Sequence, residues 1–581
     1  MAEETETTVQ NAVPGSQREF PSSFPGSMLL GMESELGIMP AQAGTRGSEV
    51  TACLDLLNSY ANAYPKLPSW CYAAETPLRD IFMGDLDRRV ADPSQLTDYD
   101  PTLDLDPNVD MEAELAKLDL PLAPCGGHQE SAAQRPALRS NVVTTNGGRF
   151  YVDHAHPEVS TPECWTVPAL IQEHQKMLSM VREAQALAGN RWRLFGNNVD
   201  GKGSTWGHHE NYRISREVDF GDLAALFAGH LVSRQVYCGA GRLGVGSAGA
   251  VKNFQISQRA DYVECLTGLQ TTFNRPLINT RDEAHDDASK WRRLHVIVGD
   301  FNQVDYSTYL RVGSTSLVLW ALERRCLRGL TLEDEGMALV DAVLEVQKIS
   351  HDTTLTASVE LRGGQSVTAL ELAGDYLQMV AEELASFEAE LNNSANVDSL
   401  NVAQTVKERW LNSAQRQSVQ QFMADWEQVL ADLGRDLWSA ADRVEWVAKY
   451  QLLERARQRY QSDWSDPRLF ALDLAWADLN PQSSPALKLA ARGSFRPVPG
   501  MSEENLLGSD LSWRAQVRSA LVENPVVSEV GWAVVRVGNL VLSLLSAGLE
   551  QHPLEFWRSA SPTELVQALV PYQNQLVELS I

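Results

Sequence analysis

The chain has 581 residues, of which 44% are hydrophobic, 22% are charged and 15 are Trp, so a disordered polymer is excluded and a large core with more than one domain is allowed. A formal net charge of −27 opposes non-specific attraction to phosphate backbones, so no nucleic-acid partner is expected. The apolar stretch Val537 to Leu549 is too short to span a bilayer, the first residues lack the form of a secretory leader, and seven scattered cysteines suit reduced thiols; a cytoplasmic monomer with no membrane partner is expected.

Residues 1–28 are rich in Glu, Thr, Ser, Pro and Gly and read as a disordered acidic tail. A catalytic domain is expected over 29–495. It opens with a short strand through Gly31 to Ile38 and a helix around Glu49 to Tyr64. From Asp80 to Asp119 there are 12 Asp and Glu against 3 Lys and Arg, with Pro93, Pro101 and Pro107 breaking any long helix, which marks a long acidic insertion over about 80–140. Val142 and Val143 lead into Asn146-Gly147-Gly148, a hairpin signal, and the strand Arg149 to His154 follows. A helix from Val167 to Leu187 comes next, then strand-like runs at Arg191 to Asn197, Asn253 to Arg259 and Leu294 to Asp300. Helical patterns run from Ser316 to about Tyr460, including Val367 to Leu391 and Val419 to Leu433. The Gly- and Pro-containing stretch Gly493 to Gly500 sets off a small C-terminal domain over 496–581 with a strand-like run Gly531 to Val541. The fold class is α+β with a mainly antiparallel sheet.

Strand alternation places Arg149, Tyr151 and Asp153 on one face and Phe150 and Val152 on the other; a wetted edge strand is an equal reading of this segment alone. Glu33 and Glu35 share a face in the same way. Carboxylates brought together from separate strands suit hard cations such as Mg²⁺. Asn197 to Gly203 leads into His208-His209-Glu210-Asn211, where Lys202 either faces an anion or sits in a surface turn. Arg293 and His295 share one face of an apolar strand and need a buried partner, which a phosphate, a metal-bound carboxylate or a structural ion pair would supply. From Arg191 to Arg328 there are 18 Lys and Arg against 14 Asp and Glu, the place where an anionic ligand is most easily met. His154 and His156 could serve a metal-dependent amidohydrolase as an H-x-H pair, although the repeated strand–helix units of a (β/α)₈ barrel are absent.

The segments Gly31 to Ile38, Arg149 to Glu163, Asn197 to Tyr212, Gly239 to Glu264, Arg275 to Asp300 and Ser307 to Gly313 resemble, in order, the motifs of the Pup ligase and Pup deamidase/depupylase family. That family is related to glutamine-synthetase-like carboxylate-amine ligases. Tyr151-Val152-Asp153-His154-Ala155-His156-Pro157-Glu158, Asp200-Gly201-Lys202-Gly203 and the long insertion are similar to the depupylase branch. Ala284, Arg213, Phe301 and Gln303 depart from the family pattern. The resemblance implies a glutamine-synthetase-like domain with a curved sheet backed by helices, and ATP and Mg²⁺ as cofactors. It implies Pup and pupylated proteins as partners, and hydrolysis of the C-terminal glutamine of Pup and of the Pup–lysine isopeptide bond. It further implies Asp153 as catalytic, Arg149, Thr161, Arg293 and Trp532 as nucleotide-binding, and Glu33, Tyr151, Glu158, His209 and His295 around the metal. A Pup–protein ligase and a catalytically silent Pup-binding homologue are the competing readings.

Overall fold

The computed structural model describes residues 25–26, 28–42, 48–87, 139–244, 253–330, 336–393, 414–501, 510–545 and 549–569. Nearly all of the tail and most of the acidic insertion expected from the sequence lie outside the described residues. The strand Leu30–Glu35 buries Leu30 and Met32 against the helices and turns Glu33 and Glu35 the other way. It lies within an open eight-stranded sheet. From edge to edge the order is Cys265–Gly268, Pro276–Asn279, Trp291–Val296, His208–Ser215, Leu30–Glu35, His156–Ser160, Arg149–Asp153 and Asn141–Val143. Every adjacent pair is antiparallel except Cys265–Gly268 with Pro276–Asn279. The α+β class and the mainly antiparallel sheet match the sequence reading.

Several boundaries differ from it. The single strand expected over Gly31 to Ile38 breaks after Glu35, because Leu36 is fully buried and Gly37–Pro40 leaves the sheet to pair with Trp192–Phe195. The run Leu294 to Asp300 starts earlier, at Trp291, and ends at Val296. Beyond it the Asp300 carboxylate accepts the backbone N–H groups of Ala240 and Gln258 and holds the chain in a turn. Asn253–Gln255 is a short strand followed by a 3₁₀ turn at Ala260–Tyr262. Helix Asp305–Leu327 begins well before Ser316, since its first turns bury Ser307, Thr308, Arg311, Ser314 and Thr315 and therefore show no apolar stripe. The helices Val167–Leu187, Ala369–Asn393 and Ala414–Arg435 lie close to where periodicity placed them.

One core joins Met32, Tyr212, Ile214, Leu294 and Val296 of the sheet to Leu223, Phe227, Leu310 and Trp320 of two helices. A second joins Phe150 and Val159 to Tyr60 of helix Glu49–Ala63, to Met177, and to Leu521, Val530 and Trp557 near the C-terminal end. Each such side chain taken out of water contributes about 1.5–3 kcal/mol. The run Gly531 to Val541 is a hairpin, Val534–Val537 with Leu540–Ser543, because Gly538 adopts φ +59° between them. Val527–Val530 extends this sheet and pairs in parallel with Ser69–Trp70. Among the described residues no helix is long and apolar enough to cross a membrane, and the six described cysteines are free.

Candidate active site

Five neighbouring strands project their polar alternation to one side of the sheet. Glu33 pairs across with His209 on one neighbour and Ser160 on the other, Glu35 with Glu158, Tyr151 with Glu158, and Asn211 with His295. Residues paired this way share a face. The result is a cleft of about 620 Å³ into which Glu33, Tyr151, Asp153, Glu158, His209 and His295 all project. The opposite alternation, Phe150 and Val159 among it, is core.

Glu33, His209 and His295 offer ligand atoms that all lie within 4.8 Å of one another. Glu33 Oε2 is 3.3 Å from His209 Nδ1 and 3.5 Å from His295 Nε2. Its other oxygen accepts from Asn211 Nδ2 at 2.9 Å and faces Arg293 Nη1 at 3.3 Å. Burial opposes ionisation of Glu33, but His295, His209 and Arg293 outweigh it and hold the carboxyl well below the usual range. Burial and Arg293 push His295 down to about 3, against the opposing pull of Glu33. The His295 Nδ1 is buried without a hydrogen-bond partner among the described residues, and its Nε2 meets the Glu33 carboxylate, at 3.5 Å. Glu158 is pushed well above the carboxylate range by burial and by Asp153, Glu35 and Glu33. Burial, with Glu158 and Glu33, likewise keeps the Tyr151 phenol neutral. A divalent cation fits this donor set: it would meet a carboxylate, two imidazoles and a phenol, and would relieve the repulsion now raising Glu158.

Asp153 closes its strand at the same side of the cleft. Burial would raise it, but a hydrogen bond from His154 and the charges of His154, Arg281 and His209 keep it ionised. His154 Nδ1 lies 3.0 Å from Asp153 Oδ2, and that contact, against burial, pushes the imidazole up to about 9. A second pocket of about 580 Å³ adjoins the first and shares Glu33, Ser160, His285, Arg293 and Trp532 with it. Leu29, Leu30 and Met32 supply apolar lining, and Arg293 and Arg514 add cationic groups. Thr161 lines it and accepts from the backbone N–H of Met32 at 3.1 Å. Arg149 is buried over the Trp70 and Tyr151 rings, with its guanidinium 3.4 Å from Glu75. All ten residues singled out from the sequence therefore line one or other of two contiguous pockets.

Lys202 does not join them. It is exposed in a turn whose Asp200 side chain accepts the backbone N–H groups of Lys202 and Ser204. His154 and His156 do not converge on one ion either: His156 faces Glu35 and stacks on Trp206, while His154 faces Asp153. The buried partner that Arg293 and His295 require is Glu33. Sequence reasoning missed the supporting groups. Glu75 lies next to the acidic insertion, where one carboxylate among many carries no signal. Glu163 receives Arg514 and Arg518 from far along the chain, a pairing with no local trace. Arg213, a departure from the family pattern, is held between the rings of Trp165 and Trp291 beside Asp286.

Comparison with known proteins agrees with this architecture. The family model described as Pup-ligase protein matches residues 28–535. A Pup deamidase/depupylase of Mycolicibacterium smegmatis is 37% identical over 488 residues, 82% of this chain and 84% of that protein. A Pup–protein ligase of Kineococcus radiotolerans is 34% identical over 375 residues, 62% of this chain and 74% of that one. The structure of the Pup ligase PafA in complex with ADP superposes with a TM-score of 0.58 at 28% identity, covering 72% of this chain and 90% of that chain. By the extent of the matched residues and the shared fold, the chain belongs to the Pup-ligase protein family.

Proposed function

We propose that the chain is an ATP- and Mg²⁺-dependent hydrolase that deamidates the C-terminal glutamine of Pup and cleaves the isopeptide bond between Pup and a target lysine. The observation that carries this reading is that Asp153, paired with His154, lines the same cleft as the Glu33–His209–His295 cluster, in a chain 37% identical to a Pup deamidase/depupylase. The two-residue turn between Asp153 and His156 lies within Tyr151 to Glu158, the run that resembles the depupylase branch rather than the ligase.

Asp153 acts as nucleophile on the amide carbon or as the base that takes a proton from water. The nitrogen departs protonated, as ammonia from glutamine or as the lysine amine from a conjugate. Because amide hydrolysis is downhill in water, nucleotide organises the site and need not be consumed for each bond. Glu33, Tyr151, Glu158, His209 and His295 would hold the metal, which supplies positive charge to a developing oxyanion or a phosphate oxygen. Arg149, Thr161, Arg293 and Trp532 would hold the nucleotide; the similarity to an ADP-bound ligase structure and the adjoining pocket support this. The division into a catalytic domain over 29–495 and a C-terminal domain over 496–581 belongs to the same proposal, with Trp532 carried from the C-terminal side to both pockets. We take the protein to act as a cytoplasmic monomer.

The test is release of Pup from a lysine conjugate, and of ammonia from glutamine-ended Pup, with and without ATP. Nucleotide-dependent release supports the proposal. Joining of glutamate-ended Pup to a protein lysine, one ATP per bond and without cleavage, would establish the ligase instead.

A further inference from the structure

Asp153 and His156 pair across adjoining strands, so His154 and Ala155 form the whole connection between them. A turn this tight asks for positive φ, and His154 takes it, at +53°. An L side chain there costs about 1–2 kcal/mol that glycine would not. The turn backbone is fixed independently of the imidazole: the Ala155 carbonyl accepts from Cys53 Sγ at 3.5 Å, and Cys53 is fully buried in helix Glu49–Ala63. The imidazole is therefore not needed to shape the turn. It folds back to place Nδ1 3.0 Å from Asp153 Oδ2 and lines the cleft, with Glu35 and Arg281 the other charges acting on it.

An aspartate side chain at a strand end has two free torsions, and a reacting group loses most of its advantage when it strays by about 1 Å. We propose that His154 is a positioning residue for Asp153, fixing the orientation of its carboxylate in the cleft through the Nδ1–Oδ2 hydrogen bond, and that this contact offsets the cost of a histidine at a left-handed turn position. The inference rests on the hydrolase reading and deepens it.

Two variants test it. His154→Gly removes the donor while suiting the turn. His154→Asn also tolerates positive φ and presents an amide N–H close to the position of Nδ1. In isopeptide cleavage His154→Gly should lose about tenfold or more in kcat, with KM, nucleotide affinity and Tm close to wild type, as expected when only geometry at the reacting atom is lost. His154→Asn should recover most of that kcat. Turnover by His154→Gly within about twofold of wild type, or a loss that His154→Asn does not recover, overturns the positioning role. Asp153→Asn run alongside separates the two claims: an inactive Asp153→Asn with a normal His154→Gly overturns this inference alone, whereas an active Asp153→Asn overturns the assignment of Asp153 and this inference with it.

Discussion

Asp153 and Glu158 face one cleft, yet their surroundings drive their protonation apart. The hydrogen bond and charge of His154 overcome burial at Asp153, while burial and three neighbouring carboxylates raise Glu158. Separation of this kind divides roles between two like groups. Asp153→Asn should abolish cleavage, by about a thousandfold or more, with nucleotide affinity within a few-fold, because size is kept and only the reactive oxygen is lost; turnover against calorimetric titration of ATP checks both halves. Glu33→Ala and Glu158→Ala should each weaken Mg²⁺-nucleotide binding by about tenfold or more, since each removes a hard oxygen donor. Unchanged affinity in both would put the metal elsewhere. At this scale the sequence was informative wherever alternation applies, as in Arg149, Tyr151 and Asp153, because period-2 geometry follows from the backbone alone. The supporting contacts were not legible: Glu163 with Arg518, or Arg149 with Glu75, join residues that only the folded chain brings together.

His208–Ser215 shows why a sheet can hide in a polar sequence. His208, Glu210 and Tyr212 of this strand point into the core, where Glu210 accepts both guanidinium nitrogens of Arg234 and the Tyr212 hydroxyl. A pattern reader looks for apolar residues and finds charges, since the partners that make their burial tolerable are on helices elsewhere. The acidic insertion was legible as a break in pattern, but its inner edge is structural: the Ile81 N–H donates to the Thr280 carbonyl, and the Asp282 N–H to that of Arg79. A deletion should therefore spare Arg79 to Asp87. Replacing 88–138 by a short Gly/Ser linker should leave a folded, nucleotide-binding enzyme with altered rate or substrate access, whereas a deletion reaching back to Arg79 should lower Tm. Glu163 ties the sheet to helix Trp513–Val522 through Arg514 and fully buried Arg518. Burial opposes its charge, but the two arginines hold its carboxyl well below the usual range. Its folded-state pKa being depressed, the stabilisation is complete above the unfolded value of about 4.3 and disappears as pH falls toward the folded one. Glu163→Gln should cost about 3–5 kcal/mol at pH 7, by leaving buried guanidinium groups uncompensated. The gap from wild type in urea unfolding should narrow below about pH 4.

Across the whole molecule, part of the excess of Lys and Arg between Arg191 and Arg328 is neutralised among the described residues. Arg213, Arg216, Arg234 and Arg242 are spent on Asp286, Asp282, Glu210 and Asp261. Composition could locate the cations but not their partners. A chain of net charge −27 should then repel a Pup conjugate of net negative charge at long range. Raising ionic strength from about 0.01 M to about 0.15 M shortens the Debye length from about 30 to about 8 Å and should increase kcat/KM for the conjugate. A steady fall over that interval would mean that local attraction governs capture. The parallel pairing of Ser69–Trp70 with Glu529–Val530 has a different consequence, one for biosynthesis. Trp70 packs edge-on against Trp532, and Trp532 lines both pockets, so part of the cleft wall is supplied by a residue synthesised after every strand of the eight-stranded sheet. A nascent chain that has emerged only as far as the large sheet lacks that side of its cleft until Val527–Val530 and the hairpin over 534–543 reach Ser69–Trp70.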